Sequence, residues 1–266
     1  KIWPEPVLRW LTCSVSPVSS ERSSSKGVKV MKYLQFASKA GDNECPERLV
    51  MVLDVSGSMA SDDWKPSRLD GAIGAAEALL DVKAKQHPND QVGIATFSSS
   101  ADTVYPLAQL SREVHSLKRA LRGLEPGSTT NITAGLQEAE KNLFGVQARP
   151  SRGAGVFDPG EWIAKIMGAN RQLPQLEIAA NETSRIILLT DGEHNHGKGP
   201  VPLAERLKAA GVVIDCIGIG GNPSEVDEGC LKRVASLNAD GSPRYCFIGE
   251  KQMLIKKFEQ LANRIK

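Results

Sequence analysis

The sequence predicts an α/β fold: a doubly wound, mostly parallel central sheet with one antiparallel edge strand and helices on both faces. Two unbroken apolar runs, Leu49-Val50-Met51-Val52-Leu53 and Ile186-Ile187-Leu188-Leu189, have the length and the lack of alternation of strands buried on both sides. Segments of helical period alternate with these and further strand-like runs, which implies right-handed crossovers between parallel strands. A chain of 266 residues with 41% hydrophobic content is long enough to bury the core of one such domain with additions.

The elements follow in order. Residues 1–28 carry Trp3, Pro4, Pro6 and Trp10 and then a serine-rich stretch from Ser19 to Ser25, the composition of a flexible extension. The domain proper is expected over 29–266. Val28 to Phe36 reads as a short edge strand and Leu49 to Val55 as the first central one. Pro66-Ser67 opens a helix from Arg68 to Gln86, with Leu69, Ile73, Ala76, Leu79, Leu80 and Val82 on its apolar face, and His87-Pro88 ends it. Gln91 to Phe97 is a further buried strand, and Thr103 to Tyr105 returns as its antiparallel partner. Helices are predicted at Ser111 to Arg122 and Thr133 to Phe144.

The stretch from about 145 to 184, with Pro150, Gly153, Gly155, Pro159, Gly160 and Pro174, is too long for an ordinary connection and reads as an insertion. It includes a short helix around Trp162 to Met167 and is expected at the sheet end opposite the strand-end cluster described next. Beyond it come a strand from Arg185 to Asp191, a helix from Pro202 to Ala210, a strand from Val212 to Gly220, a helix from Glu225 to Leu237, a strand from Tyr245 to Ile248 and a closing helix from Lys251 to Lys266.

Both long apolar runs end on a carboxylate, Asp54 and Asp191, and in open α/β sheets ligands bind just beyond the carboxyl ends of the strands. Asp54-Val55-Ser56-Gly57-Ser58 places one carboxylate and two hydroxyls at alternate positions, so they converge on one point. Gly127-Ser128-Thr129-Thr130-Asn131-Ile132 supplies another hydroxyl-bearing loop just before a helix. Hard oxygen donors with little charge suit Mg²⁺, with Mn²⁺ or Ca²⁺ as alternatives. An EF-hand is excluded, because counting from Asp54 the sixth and twelfth places hold Met59 and Lys65 where that loop needs Gly and Glu.

Asp54-x-Ser56-x-Ser58, then Thr130, then Thr190-Asp191-Gly192 resembles the metal-ion-dependent adhesion site of a von Willebrand factor type A domain, and the similarity runs from about residue 29 to the C-terminus. Thr130 is chosen over Thr129 because Thr130-Asn131-Ile132-Thr133-Ala134-Gly135-Leu136 matches the family's spacing into the next helix. The resemblance implies a Rossmann-like fold and a non-enzymatic, metal-dependent protein-binding module of bacterial type. In it Ser56, Ser58 and Thr130 contact Mg²⁺, Asp54 and Asp191 act through water or hold the serines, and an Asp or Glu of another protein completes the shell. It also implies a scaffold or regulatory role and movement of the Thr130 loop and C-terminal helix on partner binding. The rival reading is a Mg²⁺-dependent phosphatase-like hydrolase using Asp54; such enzymes carry a second aspartate two positions on, where this chain has Ser56.

A net charge of +2 from 33 basic and 31 acidic residues, without a basic stripe, gives no reason to expect nucleic acid. No apolar run reaches the roughly 18 residues of a membrane span. Cys13, Cys45, Cys216, Cys230 and Cys246 lack metal-ligand spacing, and their odd number favours reduced thiols and a cytoplasmic setting; a removed signal would place the protein outside the cell. His194 and His196 follow Asp191 closely, but without a third His or a Cys at suitable spacing they read as a rim that could hydrogen-bond an incoming carboxylate, not as a zinc site. Asp62 and Asp63 read as a solvated acidic turn, with Trp64 packed on its neighbours.

Overall fold

The computed structural model describes residues 46–145 and 183–264. The extension over 1–28, the strand expected at Val28 to Phe36, the interior of the insertion with its helix around Trp162 to Met167, and Cys13 and Cys45 lie outside the described residues.

Among the described residues, six strands form one sheet: β1 (Glu47–Asp54), β2 (Gln91–Phe97), β3 (Ala101–Gln109), β4 (Thr183–Thr190), β5 (Val213–Ile219) and β6 (Tyr245–Ile248). Their order is β3-β2-β1-β4-β5-β6. All pairings are parallel except β2 with β3, as the sequence predicts. The chain leaves β1 toward β2 on one side and later enters β4 on the other, so the winding direction reverses at β1. That reversal opens a crevice at the carboxyl ends of β1 and β4.

The helices are α1 (Arg68–Gln86), α2 (Leu110–Arg122), α3 (Ile132–Phe144), α4 (Val201–Ala209), α5 (Glu228–Val234) and α6 (Lys251–Leu261). Alternate residues of β1 serve opposite cores. Leu49, Met51 and Leu53 join the core formed with α1, α2 and α6, whereas Val50 and Val52 join the one formed with α3, α4 and α5. All five are fully buried, which is why the run is continuously apolar.

Three elements depart from expectation. β3 extends from Ala101 to Gln109 across Pro106, longer than the predicted Thr103 to Tyr105. It is an edge strand whose register slips opposite Val92, Ile94 and Ala95, and edges and bulges are where proline is tolerated. The helix expected from Glu225 to Leu237 begins only at Glu228: Pro223–Glu225 forms a 3-10 turn, and the Asp227 side chain accepts from Cys230 N at 2.8 Å as N-cap, so local capping overrides the helix propensity of the preceding residues. The closing helix ends at Leu261, where the carbonyls of Leu261, Ala262 and Asn263 accept from buried Arg185 and Lys83.

The flanks of the insertion, Leu143 and Thr183, lie at the amino edge of the sheet: the Leu143 carbonyl accepts from Arg48, and Thr183 pairs with Glu47. No helix of the described residues is long and apolar enough to cross a membrane.

Candidate metal centre

Asp54 is the last residue of β1 and is fully buried. Both of its oxygens are held: Oδ1 accepts from Ser56 N at 2.7 Å and Oδ2 from Thr190 Oγ1 at 2.5 Å. The next turn carries Ser56 and Ser58, whose Oγ atoms lie 3.1 Å apart, and Ser58 Oγ donates to Asp191 Oδ1 at 2.7 Å. One hydrogen-bonded relay therefore runs from the end of β1 to the end of β4, across the crevice where the winding reverses.

The third segment is stitched onto the first by backbone. Gly57 N donates to Ser128 O at 2.9 Å, and Gly127 N donates to the Val55 carbonyl. Gly127 permits this approach because a Cβ there would stand 2.9 Å from the Ser98 side chain and 3.1 Å from Val55 O. Of the two threonines, Thr129 is exposed and Thr130 is buried. Thr130 Oγ1 lies 3.3 Å from where a Cβ on Gly192 would stand, and Ser58 Oγ lies 3.9 Å from the same point. Asp54, Ser56, Ser58, Thr130 and Asp191 are thus all brought to one place.

The electrostatics there are unbalanced. Burial pushes the Asp54 carboxyl up to about 7, against hydrogen bonds from Thr190 and Ser56 that favour its charge. Burial also raises Asp191, opposed by hydrogen bonds from Ser58 and Arg68. Asp54, buried without a cation, and Asp191, which shares Arg68 with two other carboxylates, are surrounded by serine and threonine hydroxyls and fit a hard divalent cation. Among the described residues no three His, Cys, Asp or Glu side chains form a metal-binding cluster, so the donor set is a hydroxyl-rich one.

Arg68 is a participant that the sequence reading did not single out. Its buried guanidinium donates to Asp191 Oδ2 at 3.2 Å, to Glu225 Oε2 at 2.7 Å, and through Nε and Nη2 to Asp63 at 2.7 to 3.1 Å. A signal existed, since a cation in the first turn of a helix opposes the macrodipole and calls for carboxylates nearby. Asp63 is exposed, as expected of a solvated turn, but it also pairs with Arg68, whose hydrogen bonds hold its carboxyl below the usual range. Asp62 does remain at the surface, 3.4 Å from Lys65, and Trp64 is buried with Nε1 donating to Gly249 O at 3.1 Å. Thr190, quoted within the motif without a task of its own, anchors Asp54. His196 is exposed. His194 Nδ1 accepts from Ile132 N at 3.2 Å, so that nitrogen faces the backbone of α3.

A doubly wound sheet with an oxygen-lined crevice at its reversal point defines a class of α/β binding domain. Within that class, residues 49–194 match the family model of the von Willebrand factor type A domain, and the chain belongs to that family. Inter-alpha-trypsin inhibitor heavy chain H4 of Bos taurus is 29% identical over 169 residues, covering 62% of this chain and 15% of the relative. The 26S proteasome non-ATPase regulatory subunit 4 of Caenorhabditis elegans is 27% identical over 192 residues, 72% of this chain and 46% of the relative. Among solved structures, proximal thread matrix protein 1 from the mussel byssus, described with a zinc-occupied metal-ion-dependent adhesion site motif, aligns with a TM-score of 0.58 at 21% identity, over 82% of this chain and 48% of that one. This chain spans less than half the length of each.

Proposed function

We propose that this domain is a cation-dependent protein-binding module acting as a scaffold or regulatory element. Ser56, Ser58 and Thr130 would hold a divalent cation directly, and Asp54 and Asp191 would orient the serines and balance its charge. When bound, the cation supplies an electrophilic position for an Asp or Glu oxygen of a partner protein. The observation that carries this reading is the relay from Asp54 through Ser56 and Ser58 to Asp191, with Thr130 beside it at the reversal of the sheet. Ser58 and Gly57 are exposed at the rim, so an outside oxygen has a path in. Mg²⁺ is the first choice on donor chemistry, with Mn²⁺ and Ca²⁺ next. The relatives, a proteasome regulatory subunit and a byssus matrix protein with a metal-occupied site, support interaction over catalysis. So does the burial of Asp54, which is oriented by two hydrogen bonds and not presented to a phosphate as a nucleophile would be.

Calorimetric titration of EDTA-stripped protein with Mg²⁺, Mn²⁺ and Ca²⁺ tests the reading. Wild type binds at least one of them, and Ser56→Ala binds on the order of tenfold or more weakly, with its unfolding midpoint little changed. No binding of any of the three by wild type sinks the proposal. Turnover of p-nitrophenyl phosphate that requires Mg²⁺ and Asp54 would instead establish the hydrolase.

A further inference from the structure

We infer that Asn195 is a positioning residue for the Thr130 hydroxyl, which makes the segment after Asp191 a clamp on the loop that carries Thr130. The inference rests on the site reading above and adds to it how the threonine is placed.

Thr130 N donates to Asn195 Oδ1 at 3.0 Å, and Asn195 N donates to Thr130 O at 3.2 Å. Both backbone groups of Thr130 are therefore fixed by one residue, which leaves its side chain as the group free to face the crevice. The contacts continue in register on either side. Gly192 lies against Thr130 Oγ1, His194 Nδ1 accepts from Ile132 N, Gly197 packs on the Asn131 side chain, and the Lys198 carbonyl accepts from Thr133 Oγ1. A Cβ on Gly192 would stand 3.3 Å from Thr130 Oγ1, and one on Gly197, whose φ is +89°, would stand 3.1 Å from Asn131 Nδ2, so glycine at both places allows the two segments to touch.

This clamp has a distinct logic from the cap of α3. Asn131 Oδ1 accepts from Ala134 N at 3.1 Å, which satisfies the helix from within its own segment. His194 and Asn195 come from more than sixty residues away, so they do not serve the local helix start alone. They tie the segment bearing Asp191 to the one bearing Thr130, two loops that the sheet delivers independently. Asn195 is exposed and its side chain supports no core packing, which separates its role from general stability.

The test uses Asn195→Ala and Asn195→Asp in the full chain, with Mn²⁺ as probe. In the metal-free protein, amide exchange at Thr130 speeds up in Asn195→Ala and stays near wild type in Asn195→Asp, which keeps an acceptor oxygen. Exchange at the β1 amides of Val50 to Leu53 is the same in all three. Mn²⁺ affinity falls on the order of tenfold in Asn195→Ala and is restored in Asn195→Asp. Unchanged Thr130 exchange or unchanged Mn²⁺ affinity in Asn195→Ala overturns the inference, as does a loss of affinity accompanied by loosening of β1. Absence of Mn²⁺, Mg²⁺ and Ca²⁺ binding alike by wild type would strike the proposed function instead, while the Thr130 exchange would still report on the clamp.

Discussion

The two ends of the sheet bury carboxylates in opposite ways. At the amino edge, Glu47 and Asp90 are fully buried, and so is Lys83, which bonds both of them, reaching Asp90 Oδ2 at 2.8 Å. Arg264 adds a second cation to Asp90 at 2.6 Å, and Asp215 receives Arg185 at 2.6 Å and Arg244 at 2.8 Å. At the carboxyl edge, Asp54 receives only a backbone amide and a threonine hydroxyl. Burial by itself raises both carboxyls, but the hydrogen bonds from Arg264 and Lys83 outweigh it and hold Asp90 below the usual range, whereas Asp54 ends at about 7. Carboxylates matched by Lys and Arg hold the molecule together; one matched by neutral groups is left for a ligand to neutralise. The residues look alike in sequence and are told apart by their partners.

The comparison breaks first at Lys83. Replacing it with Met leaves Glu47 and Asp90 facing each other's surroundings without their shared ammonium and removes the donor to Ala262 O. Loss of one partner from a buried ion cluster costs roughly 3–5 kcal/mol, to be read from urea unfolding. Asp54→Asn at the other edge should fall within about 1 kcal/mol of wild type near pH 4 without metal, before ionisation of the buried carboxyl costs the wild type stability. A Lys83→Met protein as stable as wild type would mean that the amino-edge network is not structural.

Titration sharpens the contrast, measured in EDTA as the stability difference between wild type and each Asn variant. For Asp90 the folded carboxyl lies below its ordinary value of 3.8, so its contribution is complete above that pH and is lost as pH falls through the folded value. For Asp54 the folded carboxyl lies near 7 against 3.8, so the sign reverses. The penalty of ionising it is absent below about 3.8, grows as pH rises, and levels off above about 7. Asp54→Asn should thus gain on wild type between pH 4 and 7, while Asp90→Asn shows no such gain. Parallel difference curves would refute the distinction between the cation-matched Asp90 and the uncompensated Asp54.

Much of this was legible in the chain because the strands that build the site are buried on both faces. That makes Leu49 to Leu53 and Ile186 to Leu189 unambiguous and fixes where Asp54 and Asp191 emerge. Thr130 was legible through its spacing into α3, and its burial beside Gly192 agrees. The rest depended on distant pairs. Arg68 reads as an ordinary helix residue until Asp63, Glu225 and Asp191 are placed around it, and Asn195 reads as loop until it meets Thr130. The short α5 and the long β3 were missed for a different reason: a cap at Asp227 and an edge position for Pro106 override the averages on which propensity rests.

The smallest expected effect concerns Gly192, which lies against Thr130 at the carboxyl edge. Its φ is not in the left-handed region, so alanine there should leave the backbone unstrained and the unfolding midpoint within a degree or two. The added methyl would sit 3.3 Å from Thr130 Oγ1 and 3.9 Å from Ser58 Oγ, close enough that the threonine must move by a few tenths of an ångström. Mg²⁺ demands near-ideal octahedral geometry, while Ca²⁺ accepts longer and less regular contacts. A shift that small should therefore weaken Mg²⁺ by several-fold, toward the lower end of the tenfold or more typical of disturbed ligand supports, and weaken Ca²⁺ less. Calorimetric affinities for the two cations, taken as a ratio, cancel any general loss of folded protein and report on the shape of the shell. A ratio equal to that of wild type would mean that Thr130 Oγ1 does not contact the cation, and the hydroxyl shell would then reduce to Ser56 and Ser58.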